Sequence, residues 1–255
     1  MEKIRDKNMV FRPMISHWAT YAQWAAIITM TIDHVVKYLI SSDDYLWLSD
    51  TAGRVAFPLF AGMLVWHWAF NTRDREAYAN RVLIIGIAAQ IPYMFVFSRL
   101  TLNVCFTLGL AMYALNWVAC DKAYWRQRIV RWATYVLIFT AALLVGSRLE
   151  YGVIGVFYIM ALGLYFNGWR GEGTIDKPKP SQSVATWTII SLLTAAMLNH
   201  SDLTNAVSFG VTIALLGLPY YSHRIPACSV EIPRWLRLAW YPGHIVLIGL
   251  FLVVY

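Results

Sequence analysis

Nine times in 255 residues the chain runs apolar for about the depth of a bilayer core: 20–40, 54–71, 80–98, 103–120, 131–147, 151–167, 184–199, 203–220 and 236–254. A hydrocarbon core of about 30 Å needs about 20 mostly apolar helical residues, whereas a barrel strand needs only about 9–11. Runs of this length predict an all-α fold, a polytopic transmembrane helix bundle of about nine spans. Composition agrees, because 59% of residues are apolar and 14% charged, against roughly 45–50% and 25% in soluble domains. A water-soluble chain of this size cannot hide so much apolar surface. A soluble enzyme, a disordered tail and a secreted disulfide scaffold are therefore excluded as classes. The spans leave no room for a soluble domain, so residues 1–255 read as one integral-membrane domain. Residues 1–19 form a cytoplasmic or interfacial lead-in, and the Gly/Pro/Lys-rich 168–183 segment a mobile loop. The first apolar run lacks the features of a cleavable signal peptide.

Orientation follows from the cations, since Lys and Arg accumulate in cytoplasmic loops. Seventeen of the 21 lie on one side, in the lead-in and in the loops around Arg73, Arg128, Lys177 and Arg234. Four (Lys37, Arg54, Arg99, Arg148) fall on the other side, beside an acidic loop with Asp43, Asp44 and Asp50. The N-terminus is expected in the cytoplasm and, with nine spans, Tyr255 outside. The +7 net charge thus marks a membrane face and not a nucleic-acid footprint. Cys105, Cys120 and Cys228 have neither metal-ligand nor CxxC spacing and read as inert thiols.

Ionisable groups inside spans are costly, and each is a functional candidate. The first span carries Asp33 and His34 toward its outer end, with Lys37 on the same helix face as Asp33. Two readings stand: a structural Asp33–Lys37 pair, or His34 as a base with Asp33 orienting it or pairing with a cation. Arg54 opens the second span at similar depth, either snorkelling outward or facing Asp33, and Pro58 behind it removes a backbone donor. His244 lies about 12 Å into the last span at about 1.5 Å per residue. Arg81 at a helix mouth suits a phosphate-bearing ligand. Gln90, Asn103 and the Glu150–Tyr151 pair are weaker candidates, and helix-to-helix hydrogen bonding explains Gln90 equally well. His67, His200 and His223 carry no special signal. A histidine with a carboxylate can deprotonate an amine or hydroxyl or carry an acyl group, and an arginine can stabilise an oxyanion. Metal triads, Walker A, GxGxxG and GxSxG are absent from the sequence, so the toolkit points to group transfer. A proton-relay transporter and an envelope scaffold stay open as other classes.

Asp33-His34, GRVAFPLFAG at 53–62, Asn80-Arg81, Gln90-Ile91-Pro92-Tyr93, Asn103-Val104-Cys105-Phe106, Tyr151-Gly152 and the Tyr/His element at 241–244 together resemble the TraX family. This resemblance covers nearly the whole apolar portion, and the Asp-His and GRxAFPLF elements are its most specific part. It implies an acetyl-CoA-dependent N-acetyltransferase of the bacterial inner membrane, with a conjugative pilin subunit as acceptor, membrane lipids around it and no nucleic-acid partner. It further implies His34 as base, Asp33 as its orienter, Arg54 as electrostatic stabiliser and His244 as a second base or thioester-positioning group. Arg81, Gln90, Asn103 and Tyr241 are expected on the cofactor side, with no metal. An envelope saccharide or lipid as acceptor, or a proton-coupled small-molecule transporter, is the alternative.

Overall fold

In the computed structural model, residues 16–40, 42–98, 100–119, 146–170 and 180–254 are described, with scattered helical positions between 133 and 144. Residues 1–15 of the lead-in, most of the span expected at 131–147, and 171–179 of the loop lie outside the described residues. Among the described residues the architecture is all-helical, and the one β-type contact is an isolated bridge between Leu102 and Leu149. The helices are α1 (His17–Val35), α2 (Leu46–Thr51), α3 (Gly53–Trp66), α4 (Arg75–Phe97), α5 (Val104–Val118), α6 (Gly152–Gly168), α7 (Val184–Ala195), α8 (Asp202–Tyr221) and α9 (Arg234–Val254). Three are long and apolar enough to cross a membrane: α4, α8 with its following turn, and α9. Helices α5, α6 and α7 are shorter apolar helices. Two others are prolonged by a π-helical turn, α1 through Val36–Ile40 and α3 through His67–Asn71.

Local chemistry sets the ends. Asp74 caps α4, its side chain accepting the Ala77 N–H. Ser98, with φ 47°, closes α4 in the left-handed conformation, a common way to stop a helix. Ser201 and Thr204 form a reciprocal capping box on α8. The lead-in is shorter than expected: His17 already begins α1, because Trp18 is buried edge-on against Trp66, 5.5 Å between ring centres.

Paired contacts give each helix its direction. Trp18–Trp66 at one end and Asp33–Arg54 at the other make α1 and α3 antiparallel. Asn103 against Gly86 and Gln90, and Tyr113 against Asn80, do the same for α4 and α5. Phe57–Tyr151 and Trp66–Phe166 make α3 and α6 parallel. Tyr158–Thr212 and Tyr165 donating to the Leu216 carbonyl align α8 with α6. Consequently Ser16, His67, Arg81 and Arg234 collect at one end of the bundle, and Asp33, Arg54, Gln90 and Tyr151 toward the other.

The core is aromatic and aliphatic, with Trp66, Trp68, Tyr158 and Phe166 fully buried. A second, smaller cluster (Tyr93, Val96, Phe97, Ile245, Ile248) joins α4 to α9, and Tyr241 packs against both. Outward faces stay apolar: Ile91 is 81% exposed, Leu247 64% and Val254 73%. A surface so apolar is costly in water and suits hydrocarbon.

Candidate active site

Asp33 is held from three sides. Its Oδ1 lies 2.7 Å from Lys37 Nζ one helical turn on and 3.9 Å from Arg54 NH2, and accepts from Ser49 Oγ. Arg54 therefore turns inward, and the Asp33–Lys37 pair exists as well. Ser49 is fully buried on α2; nothing in the sequence marked LWLSDT as a short helix folded against the ion cluster. Gly53 makes this approach possible, since a Cβ there would overlap the Asp33 carboxylate. One carboxylate faces two cations, and Arg54 Nε is buried with no hydrogen-bond partner among the described residues. That imbalance leaves Arg54 with donor capacity for an anion or a developing oxyanion.

His34, next in the chain, points away from this cluster. Its Nδ1 lies 2.8 Å from His244 Nε2, and His244 Nδ1 lies 2.7 Å from the Trp240 carbonyl. The ring planes differ by 6° with centres 5.0 Å apart. Combined with the short N···N distance, that separation puts the rings end to end in one plane, the geometry of an N–H···N bond. The carbonyl can only accept, so His244 Nδ1 carries a proton. A neutral His244 then accepts at Nε2, His34 donates from Nδ1, and the lone pair of a neutral His34 is left at Nε2. His244 does for His34 what a carboxylate often does for a histidine base: it fixes tautomer and orientation. Both rings are buried, at 9% and 4% exposure. Trp240 Nε1 donates to Thr31 Oγ1 at 3.2 Å, tying α9 to α1 beside the pair. The sequence shows two histidines within apolar runs; their pairing 210 residues apart is a tertiary fact.

A cavity of about 660 Å³ opens at the other end of the bundle, within the ~300–1,000 Å³ usual for ligand sites. Arg81, Arg234, Arg237, His67 and Tyr78 line it, as do Met30, Cys105 and Tyr241. Arg81 lies over the Tyr78 ring, 5.5 Å from its centre. Met30 precedes His34 by one turn of α1 and Tyr241 precedes His244 by nearly one turn of α9. The Tyr241 and His244 ring centres are 5.8 Å apart. Tyr241 thus joins the cavity lining to the histidine pair, which itself lies outside that lining. Arg234, Arg237 and His67 were not singled out in the sequence; the first two look like ordinary inside-facing charge, and only helix directions reveal the shared rim. Among the described residues no group of three or more His, Cys, Asp or Glu is placed to hold a metal.

Gln90 and Asn103 do not line this cavity. Asn103 Nδ2 donates to the Gly86 carbonyl (2.8 Å) and to Gln90 Oε1 (2.9 Å), while its Oδ1 caps α5 by accepting from Cys105 N (3.0 Å). Gln90 Nε2 donates to the Thr101 carbonyl at 2.8 Å. These amides clasp α4 to α5 and are consumed by it. Asn103→Ala is expected to lower stability by about 2–3 kcal/mol, from a lost cap and buried backbone groups left unpaired. A fall in melting temperature of the detergent-solubilised protein checks this; an unchanged value refutes the clasp.

The chain is similar in sequence to known proteins. "Protein TraX" of Escherichia coli is 25% identical over 232 residues, covering 88% of this chain and 83% of its own length. "Protein TraX" of Escherichia coli strain K12 is 26% identical over 199 residues, covering 76% and 71%. A "Probable fimbrial assembly protein FimC, serogroup H1" of Dichelobacter nodosus is 34% identical over 105 residues, or 35% of this chain and 42% of that protein. No solved structure matches the chain. The family model described as TraX protein matches residues 20–252, a stretch that holds both histidines, the ion cluster and the arginine rim, and the chain belongs to the TraX family.

Proposed function

We propose that this protein is an integral membrane acetyltransferase that moves acetyl from cytoplasmic acetyl-CoA to the N-terminal amine of a conjugative pilin subunit. The observation that carries the reading is the tautomer-fixed His34–His244 pair beside an arginine-lined cavity that shares Tyr241 with it. In this reading the chain makes nine passes through the bacterial inner membrane, with the arginine end facing the cytoplasm and Tyr255 the outside.

The cavity fits the donor in kind: its three lining arginines suit phosphates, and its apolar lining residues suit a slender acyl-bearing arm. Arg81, Arg234 and Arg237 would hold the phosphates, and Tyr241 would flank the arm near the histidines. Acetyl-CoA supplies an activated acyl carbon with a thiol leaving group. An α-amine has a pKa of about 7.7–8.0, so at neutral pH it must lose a proton before it attacks. His34 Nε2 takes the proton shed as the amine nitrogen bonds the acyl carbon, and gives one to the departing sulfur. His244 holds His34 in that tautomer throughout. Arg54, balanced only in part by Asp33, is the cation available to negative charge developing on the acyl oxygen.

Mass spectrometry of the cognate pilin from cells with and without the protein tests the reading. Loss of one acetyl group on deletion is the expected result, and an unchanged mass removes pilin as acceptor. Acetyl-CoA should also raise the melting temperature of the solubilised protein, by the equivalent of about 2.7 kcal/mol at a hundredfold excess over Kd. A shift without any pilin change would move the acceptor to an envelope saccharide or lipid. No shift would favour a proton-coupled transporter.

A further inference from the structure

Besides His244, two aromatic rings pack on His34. Phe97 lies 5.1 Å from the His34 ring centre, and Tyr38 lies 6.4 Å from it. Phe97 is in turn 4.5 Å from Tyr38 and 4.5 Å from Tyr93. These rings belong to the small second cluster, closed beneath by Ile245 and Ile248, which are 0% and 4% exposed. Phe97 is the last residue of α4, and the left-handed Ser98 immediately after it sets where the helix stops. Its ring packs against two tyrosines.

From this packing we infer that Phe97, backed by Tyr38 and Tyr93, limits the length of the acyl group that reaches His34, and so is the specificity-determining residue for short acyl chains. The inference rests on the acyl-transfer reading and adds a substrate limit to it. An acyl group extended from the cavity beyond Tyr241 to reach His34 would meet the rings packed on it. An acetyl methyl needs almost no room there. Each further methylene has to displace a ring from a close-packed cluster, and such overpacking is unfavourable. Hydrophobic pockets discriminate by about 10–200-fold per methylene, so one ring suffices to separate acetyl from butyryl or hexanoyl.

The experiment uses the full-length protein in detergent, as wild type, Phe97→Ala and Phe97→Leu. Free coenzyme A and acetyl-, butyryl- and hexanoyl-CoA are compared by the melting-temperature shift each produces. Transfer of each acyl group to a pilin N-terminal peptide is measured in parallel. Wild type is expected to be stabilised most by acetyl-CoA. In Phe97→Ala the hexanoyl-to-acetyl ratio should rise at least about tenfold, with a matching gain in stabilisation by hexanoyl-CoA and no change with free coenzyme A. Phe97→Leu keeps an apolar contact to both tyrosines and should show a smaller rise in butyryl transfer, so it decides the matter should the alanine variant not fold. An unaltered chain-length preference in a folded variant overturns the role of Phe97 while leaving acyl transfer standing. Wild type that no acyl-CoA stabilises and that transfers none brings down the underlying reading instead.

Discussion

His34→Ala is expected to reduce pilin acetylation by about 10²–10⁴-fold, the contribution typical of a positioned general base, without loss of the folded protein. The alanine leaves His244 with Nε2 facing a void but still anchored through Nδ1 to the Trp240 carbonyl, so α9 keeps its place. The pair makes a sharper expectation for His244. His244→Leu removes the acceptor for His34 Nδ1–H, and the His34 tautomer is no longer enforced, so activity should fall nearly as far. His244→Gln offers an amide oxygen to accept that proton and an amide N–H toward the carbonyl, and should recover part of the loss. Acetylated pilin, quantified by mass spectrometry at matched expression, reads all three. Equal activities for the leucine and glutamine variants would show that His244 packs and does not orient. Nitrogen NMR on labelled histidine adds a readout that packing would not move: His34 should carry its proton on Nδ1 in wild type and lose that preference in His244→Leu.

Asp33→Asn is expected to cost about 3 kcal/mol of stability, the lower part of the range of about 3–5 for stranding a buried charge. Asp33 and Lys37 side chains are 14% and 28% exposed, and Arg54 is 20% exposed, so the cluster is screened by protein more than by water. The substitution leaves both cations without the carboxylate that contacts them, although the amide can still accept from Ser49. Lys37→Met in the same background restores a single cation beside a neutral group and should recover much of the loss. Melting curves of the two single variants and the double form a cycle whose coupling isolates the pair. Additive single effects would mean that the 2.7 Å contact adds nothing, and that Arg54 alone is the partner Asp33 serves.

Much of this was legible before any coordinates. Apolar runs of span length dictate helices, because a chain in hydrocarbon must satisfy its backbone internally. The residues that break those runs, Asp33, His34, Arg54 and His244, are the ones the fold pairs with one another, Asp33 with Arg54 and His34 with His244, since a charge or imidazole in apolar surroundings is stable only with partners. Other parts were not legible. Asn103 and Gln90 look like site residues by type, yet their amides are spent on helix ends and a backbone clasp. Arg234 and Arg237 look like orientation charge, and acquire a second meaning only because α4 and α9 run side by side. Ser49 reaches Asp33 from a six-residue helix that no periodicity announces.

By itself, then, the sequence determined the solvent, the helical class and the few polar groups that need partners, because burial costs act residue by residue. Tertiary structure decided which partners they take. Asp33 was expected to orient His34, but it binds Lys37, Arg54 and Ser49, and His34 is oriented by His244 from the far end of the chain. The Trp240–His244 bond that fixes the His244 tautomer lies within α9, but its transmission to His34 depends on a distance between helices, which no local pattern encodes, and it is this transmission that leaves a lone pair on His34 Nε2.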